Sequence, residues 1–363
     1  MNPKKKPVNG QPHQPETVPK SGDPGSLPVF FIVGRGRSGS TLLRFLFDAH
    51  PHVMIPMESR FVQFLYYQYG HVKKWTVEIA EQAIHDLEHA FEPPELHQEN
   101  LKEQIRAHPS DLSFALLCKL IYLNTRTVYP KKEIRVLGDK NPRYTFFIPT
   151  LLQIFPEARF IHLIRDYRDN VAAIQRAADI IHESGHPSVS LGRWKLYNQV
   201  IVRCRKKYPD QFCTVRFEDL VARPEQEMER LCSFLGVDFM PQMLNYRQRM
   251  DPDHRDENFR SLHRSLERDF DPSKIGEWKK VLDRKKSIRC EVLAGSFPLR
   301  FGYTPEFDGK PFKRLWIKLV FLPVSLLGQV RYALKIPFYR SRRLMQFSYR
   351  LLLKIKRCER ERT

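Results

Sequence analysis

Three short segments carry the residue types that could do chemistry. Gly34-Arg35-Gly36-Arg37-Ser38-Gly39-Ser40-Thr41 sets two arginines and three hydroxyls among three glycines. Gly34 and Gly39 keep the G-x-x-x-x-G spacing of a phosphate-binding loop, and Thr41 stands where such loops place a Mg²⁺-binding hydroxyl. Ser40, however, replaces the lysine that a Walker A loop extends to the β/γ-phosphates, and the positive charge sits instead at Arg37. Lys140, in Asp139-Lys140-Asn141-Pro142, and Arg165, in Arg165-Asp166-Tyr167-Arg168-Asp169, each follow an apolar run. Turn amides, a helix N-terminus and fixed cations together make a site for a phosphate-like anion.

Positioning these groups requires strands that stop just before them. Val29-Phe30-Phe31-Ile32-Val33 reads as a buried strand, and Leu42, Leu43, Leu46 and Phe47 recur at helical spacing. Ile134–Gly138, Arg159–Ile164 and Gln211–Arg216 read as further strands. Helices are expected near Ser59, over Asp169–Ile181 and Leu191–Lys207, and over Glu225–Leu235 with Gly236 closing the last. The alternation predicts an α/β fold: a P-loop-like three-layer α/β/α arrangement with a central, mostly parallel sheet. Ligands of such sheets bind at the carboxyl ends of strands, which puts Arg37, Lys140 and Arg165 on one rim, each just past a strand. Residues 29–305 form the expected domain. Residues 70–130, mainly helical and broken at Pro93-Pro94 and Pro109-Ser110, read as a helical insertion shaping an acceptor cleft.

Composition narrows the class. With 363 residues, 42% of them hydrophobic, the chain can bury a substantial core. The six cysteines are scattered without a C-x-x-C pair, as reduced thiols of a cytosolic protein would be, and the thirteen histidines form no zinc-ligand pattern. Residues 1–28, rich in Pro, Gly, Lys and Gln with no apolar stretch, read as a disordered arm. The net charge of +20 is uneven: fourteen Lys and Arg against Glu359 and Glu361 give residues 311–363 +12 of it. The remaining +8 suits a domain with an anionic substrate.

Together these segments resemble the sulfotransferases that use 3′-phosphoadenosine 5′-phosphosulfate (PAPS), over about Val29–Tyr303, and most closely the branch of tyrosylprotein sulfotransferases and their bacterial relatives. Arg37–Leu42 resembles the family's 5′-phosphosulfate loop, Asp139–Pro142 its lysine-proline turn, and Phe160–Ala173 its 3′-phosphate motif. Phe217-Glu218-Asp219-Leu220 and Lys274-Ile275-Gly276-Glu277-Trp278-Lys279 also recur in such enzymes. The resemblance implies transfer of a sulfuryl group from PAPS, as co-substrate, to a hydroxyl acceptor. It assigns Arg37 and Lys140 to the charge that builds during transfer, Ser38, Gly39, Ser40 and Thr41 to the 5′-phosphate, and Arg165, with Lys274 and Trp278, to the rest of the nucleotide. Glu58, in Glu58-Ser59-Arg60, matches the catalytic glutamate of the tyrosylprotein branch. No metal is implied. Two positions depart from the family: Ala173 replaces a serine, leaving Arg165 to be helped by Arg168 or a backbone N–H, and Phe217 replaces a tyrosine. His50 and His52 are secondary candidates for the base, and His162 reads as core.

The C-terminal extension, 306–363, poses a separate question. Leu315–Phe338 mixes an apolar run with Lys318, Arg331 and Lys335 and is expected to break at Pro323 and Pro337. Its uninterrupted apolar part, Leu319–Leu327, is shorter than the ~20 residues that span a bilayer. A basic amphipathic segment on an anionic membrane surface is one reading, and a helix packed on the domain is the other. The expected location is cytoplasmic, on the inner face of a membrane. Two other functions compete: a P-loop nucleotide kinase or NTPase, which Ser40 opposes, and a non-catalytic basic protein binding nucleic acid or membrane through its tail.

Overall fold

Five strands form one parallel sheet in the order β2-β3-β1-β4-β5. They are β1 (Val29–Val33), β2 (Val53–Met54), β3 (Val136–Lys140), β4 (Arg159–Ile164) and β5 (Phe212–Arg216). The computed structural model describes residues 22–88, 96–125, 127, 129–247, 270–307 and 311–334. All five residues of β1 are buried, as a central parallel strand covered on both faces requires. Successive side chains point to opposite faces. Phe31 stacks on Phe160 at 5.5 Å on one face, and Phe30 meets Phe47 at 5.0 Å on the other.

Helices α2 (Phe61–Tyr69), α3 (Val77–Glu88), α4 (Gln98–Ala107), α5 (Phe114–Leu123) and α6 (Ile148–Ile154) cover the Phe31 face. Helices α1 (Ser40–Asp48), α9 (Phe217–Ala222) and α10 (Pro224–Leu235) cover the Phe30 face. A third apolar cluster joins α7 (Tyr167–Ala177) and α8 (Pro187–Lys207) to α11 (Trp278–Val281), α12 (Arg284–Ala294) and α13 (Pro311–Ala333). The expected three-layer α/β architecture is therefore present. Gly236, at φ 76°, closes α10 in the left-handed conformation that glycine favours.

Several boundaries shift. Lys140 is the last residue of β3, not a residue beyond it, and pairs in register with Ile32 of β1. Helix α7 begins at Tyr167 and α8 at Pro187, earlier than apolar spacing indicates, because Asp166 and a proline at the first turn start them. Within the segment 70–130, Leu87, Leu101, Ile105 and Leu117 share one core with Phe31 and Phe160. Of the expected N-terminal arm, residues 1–21 lie outside the described residues, while Leu27 is buried and the Gly25 carbonyl accepts from Lys119 at 2.7 Å. Helix α13 runs through Pro323 without breaking. Pro323 lies on the exposed side of the helix, and the opposite side packs on α8. Pro337 and residues 335–363 fall outside the described residues.

Candidate active site

The glycine-rich loop owes its shape to close contacts. At Gly34 (φ 151°) a Cβ would stand 2.3 Å from the Leu163 carbonyl oxygen, and at Gly39 (φ 96°) 2.4 Å from the Phe217 ring. Arg37 is itself left-handed, at φ 66°, a conformation uncommon outside glycine. Left-handed residues alternating with ordinary ones curl a chain so that successive N–H groups face one concavity. The loop runs into α1, whose first turn has no side-chain cap at Gly39. Asn170 pins the loop, its Nδ2 donating to the Gly36 carbonyl at 2.9 Å and to Ser38 Oγ at 3.1 Å. The Gly34 amide donates to Thr145 Oγ1 at 3.3 Å.

Positive charge crowds beside this loop. Burial, with the nearby Arg165 and Arg176, pushes the Arg37 guanidinium down to about 10, still charged at neutral pH. Arg165 donates to the Lys274 carbonyl at 2.8 Å and, at a longer 3.5 Å, to the Arg37 carbonyl. Its guanidinium lies 4.5 Å over the Phe217 ring, so the phenylalanine that lacks the family's hydroxyl supplies a platform instead. Arg165 Nε is buried and has no hydrogen-bond partner among the described residues. A loop curled by left-handed residues, with open space beside Gly36, and a buried guanidinium with an unmet donor fit a phosphorylated nucleotide.

A frame of buried carboxylates holds Arg165 in place. Glu218 accepts from the Asp166 amide at 2.8 Å and from Tyr303 Oη at 2.7 Å, and its burial pushes its pKa up. Asp169 accepts from the amides of Gly276 at 2.9 Å and Trp278 at 2.8 Å, which ties the Lys274–Trp278 segment to α7. Arg168 is buried and paired at 2.8 Å with both Asp166 and Glu291. Trp278 is buried as well: the residue is 3% exposed and its ring lies 4.5 Å from the Arg168 guanidinium, so it packs in the wall behind Arg165. Lys274 borders Arg165 through its carbonyl, while its ammonium pairs with Glu277 at 3.1 Å. Arg176 makes two 2.6 Å hydrogen bonds to Glu277 and, as the largest influence, pulls that carboxyl down to about 2. Ala173 is buried within α7.

Glu58 meets this group from the other side. Its carboxylate ion-pairs with the Lys140 ammonium; the Lys140 side chain is 5% exposed and that of Glu58 44%. Two hydrogen bonds fix the chain around it. Buried Arg44 donates to the Pro56 carbonyl at 2.8 Å, and Asn141 Nδ2 donates to the Ser59 carbonyl at 3.3 Å. Behind Lys140, buried Asp139 accepts from Tyr122 Oη at 2.7 Å, and burial pushes its carboxyl up to about 7. The histidines lie elsewhere. His50 follows the far end of α1 and is spent on the Asp238 carbonyl at 2.8 Å, and His162 is buried against Asn198. Among the described residues no group of three or more His, Cys, Asp or Glu could hold a metal ion.

Sequence reasoning missed Asn170, Asp169 and Arg44. The first two lie in the first turn of α7, five and four residues beyond Arg165, which was the available signal. Arg44 gave none, since a lone arginine on an amphipathic helix ordinarily faces solvent.

Residues 28–241 match the model of a protein family described as the sulfotransferase family, and the chain belongs to it. It is accordingly a PAPS-dependent sulfotransferase, an enzyme that moves a sulfuryl group from PAPS to a hydroxyl acceptor; the kinase, NTPase and non-catalytic alternatives are set aside. It is 25% identical over 226 residues to a putative protein-tyrosine sulfotransferase of Caenorhabditis briggsae, covering 61% of this chain and 69% of that one. It is also 25% identical over 298 residues to an omega-hydroxy-beta-dihydromenaquinone-9 sulfotransferase of Mycobacterium bovis, covering 71% and 74%. The fold matches the sulfotransferase domain from the curacin biosynthetic pathway with a TM-score of 0.50 at 21% identity, over 77% of this chain and 98% of that one.

Proposed function

We propose that Arg37, Lys140 and Arg165 divide the anionic groups of PAPS between them, and that Glu58 is the base toward the acceptor. The observation that carries this reading is the meeting, at one rim of the sheet, of the Arg37 loop after β1, Lys140 at the end of β3 and Arg165 after β4. In the assignment, the amides and hydroxyls of Ser38, Gly39, Ser40 and Thr41 cradle the 5′-phosphate. Arg165, held flat over Phe217, presents a planar fork to the 3′-phosphate, with the Lys274 segment beside it. PAPS supplies the activated sulfuryl group. Glu58 takes the acceptor's proton as the acceptor oxygen bonds to sulfur, and Lys140 with Arg37 faces the charge that returns to the bridging oxygen. With that charge met by side chains, turnover is expected to persist in a chelator.

The acceptor is proposed as a hydroxyl on an amphiphile, encountered by a cytoplasmic enzyme at the inner face of an anionic membrane. The support is the basic C-terminal extension and the acceptor named for the Mycobacterium bovis relative, omega-hydroxy-beta-dihydromenaquinone-9; the protein-tyrosine relatives support a tyrosyl hydroxyl as the second reading, beside a glycan or small-molecule alcohol. Titration calorimetry with 3′-phosphoadenosine 5′-phosphate against ATP tests the nucleotide assignment. Preference for the 3′-phosphorylated ligand is expected, and equal affinity for ATP would overturn the role of Arg165. Transfer of labelled sulfate into lipid, glycan and peptide fractions identifies the acceptor.

A further inference from the structure

The described part of the C-terminal extension is a helix, α13, with two unlike faces. One face packs so closely that side chains are excluded. A Cβ on Gly192 of α8 would stand 2.2 Å from the Ser325 carbonyl oxygen, and one on Gly328 of α13 would stand 3.0 Å from Val189. Ile317 and Ser325 are buried there, and the Arg289 guanidinium of α12 lies 3.6 Å from the centre of the Phe321 ring. The other face is apolar yet exposed. Phe312, Leu315, Leu319, Leu322, Leu326 and Val330 follow one another at intervals of three and four residues, the repeat of a single helical stripe. Phe312 is 82% exposed and Leu319 68%. At 3.6 residues per turn, exposed Lys313 falls on one border of the stripe and exposed Lys318 on the other.

We infer that α13 is a bilayer-docking face fixed rigidly to the catalytic domain, lying in the surface of a membrane rich in anionic lipid with its apolar stripe among the acyl chains and its bordering lysines on the headgroups. The choice of occupant follows from charge. Between Gly309 and Cys358 the sequence holds thirteen Lys and Arg and no Asp or Glu, so a second copy brought against the stripe would set like charge against like. An anionic surface complements the same distribution. No helix among the described residues is long and apolar enough to cross a membrane, which leaves contact in the plane of the surface. Packing against α8 through Gly192 gives the contact an orientation that a flexible basic tail would lack. This deepens the membrane part of the function proposed above and is independent of the roles given to Glu58, Lys140 and Arg165.

The test is cosedimentation of the full chain with vesicles of phosphatidylcholine alone or with one third phosphatidylglycerol. Binding only to the acidic vesicles is expected, and Leu319→Glu with Leu326→Glu should weaken it roughly tenfold or more. Both leucines are exposed, so the double variant should keep the wild-type affinity for 3′-phosphoadenosine 5′-phosphate, which reports on its fold. A paired Lys313→Glu, Lys318→Glu variant should lose the preference for acidic vesicles. Wild-type protein that binds the nucleotide but neither vesicle overturns the inference and leaves the enzymatic reading standing. So does a Leu-to-Glu variant that binds acidic vesicles as wild type does, or a dimer in sedimentation velocity that this variant dissolves.

Discussion

The ammonium of Lys140, the last residue of β3, ion-pairs with the carboxylate of Glu58, 82 residues earlier in the chain. The two ends of this pair have different surroundings. Lys140 is buried at the rim of the sheet, whereas almost half of the Glu58 side chain faces solvent. The pair thus joins a cation buried at the end of β3 to a carboxylate on the solvent side.

Replacing Glu58 by Gln should leave the affinity for 3′-phosphoadenosine 5′-phosphate within about twofold and reduce kcat by about 10²-fold or more, the usual size of a general-base contribution. Lys140→Met should cost a similar or larger factor in kcat, about 10²–10³, because it removes a cation from the developing charge. Single-turnover assays paired with calorimetry separate the two steps. Retained turnover in the Gln variant would reject Glu58 as the base.

Arg165→Lys keeps a positive charge but loses the planar fork and its stacking on Phe217. The expected result is about a tenfold loss of affinity for 3′-phosphoadenosine 5′-phosphate, or ~1.4 kcal/mol, with little change for a nucleotide lacking the 3′-phosphate. Asp169→Asn, which disturbs the hold on Gly276 and Trp278, should raise KM for PAPS severalfold while changing kcat less. Calorimetry on the first variant and steady-state kinetics on the second check these outcomes.

Gly39→Ala places a methyl group 2.4 Å from the Phe217 ring at a φ of 96°. The variant should lose about 1–3 kcal/mol of stability and bind nucleotide weakly, because the loop and the ring under Arg165 are displaced together. Adding Phe217→Ala should recover part of the stability without the nucleotide affinity. Urea unfolding and calorimetry give the two readouts.

Burial raises the Asp139 carboxyl from the ordinary aspartate range to about 7. The folded state therefore holds this proton more tightly than the unfolded chain does. The associated stability is fully present below about pH 4, declines as pH rises and is gone above about pH 7. Asp139→Asn removes this dependence while keeping an acceptor for Tyr122. The difference in Tm between wild type and variant should therefore shift in the variant's favour from pH 4 to pH 8. A constant difference across that range would reject the assignment.

The sequence by itself determined the elements and the ends that carry charge. A buried apolar run, a glycine loop and a helical repeat are local patterns, so β1, the Arg37 loop and α1 could be read directly, as could β4 with Arg165 after it. The rule that ligands meet parallel strands at their carboxyl ends then brought Arg37, Lys140 and Arg165 to one rim. Only the tertiary structure decided which partner each charge takes. Arg168 pairs with Glu291, 123 residues away, and lies over the Trp278 ring, while Phe217 supports Arg165 through its own ring. Local propensity was overruled at Pro323, where packing on α8 carries α13 through a residue that would end an isolated helix. Backbone and apolar spacing are set by neighbours in sequence, whereas buried charges are paired by whichever distant segment the fold brings within about 3 Å, and no spacing rule encodes that choice.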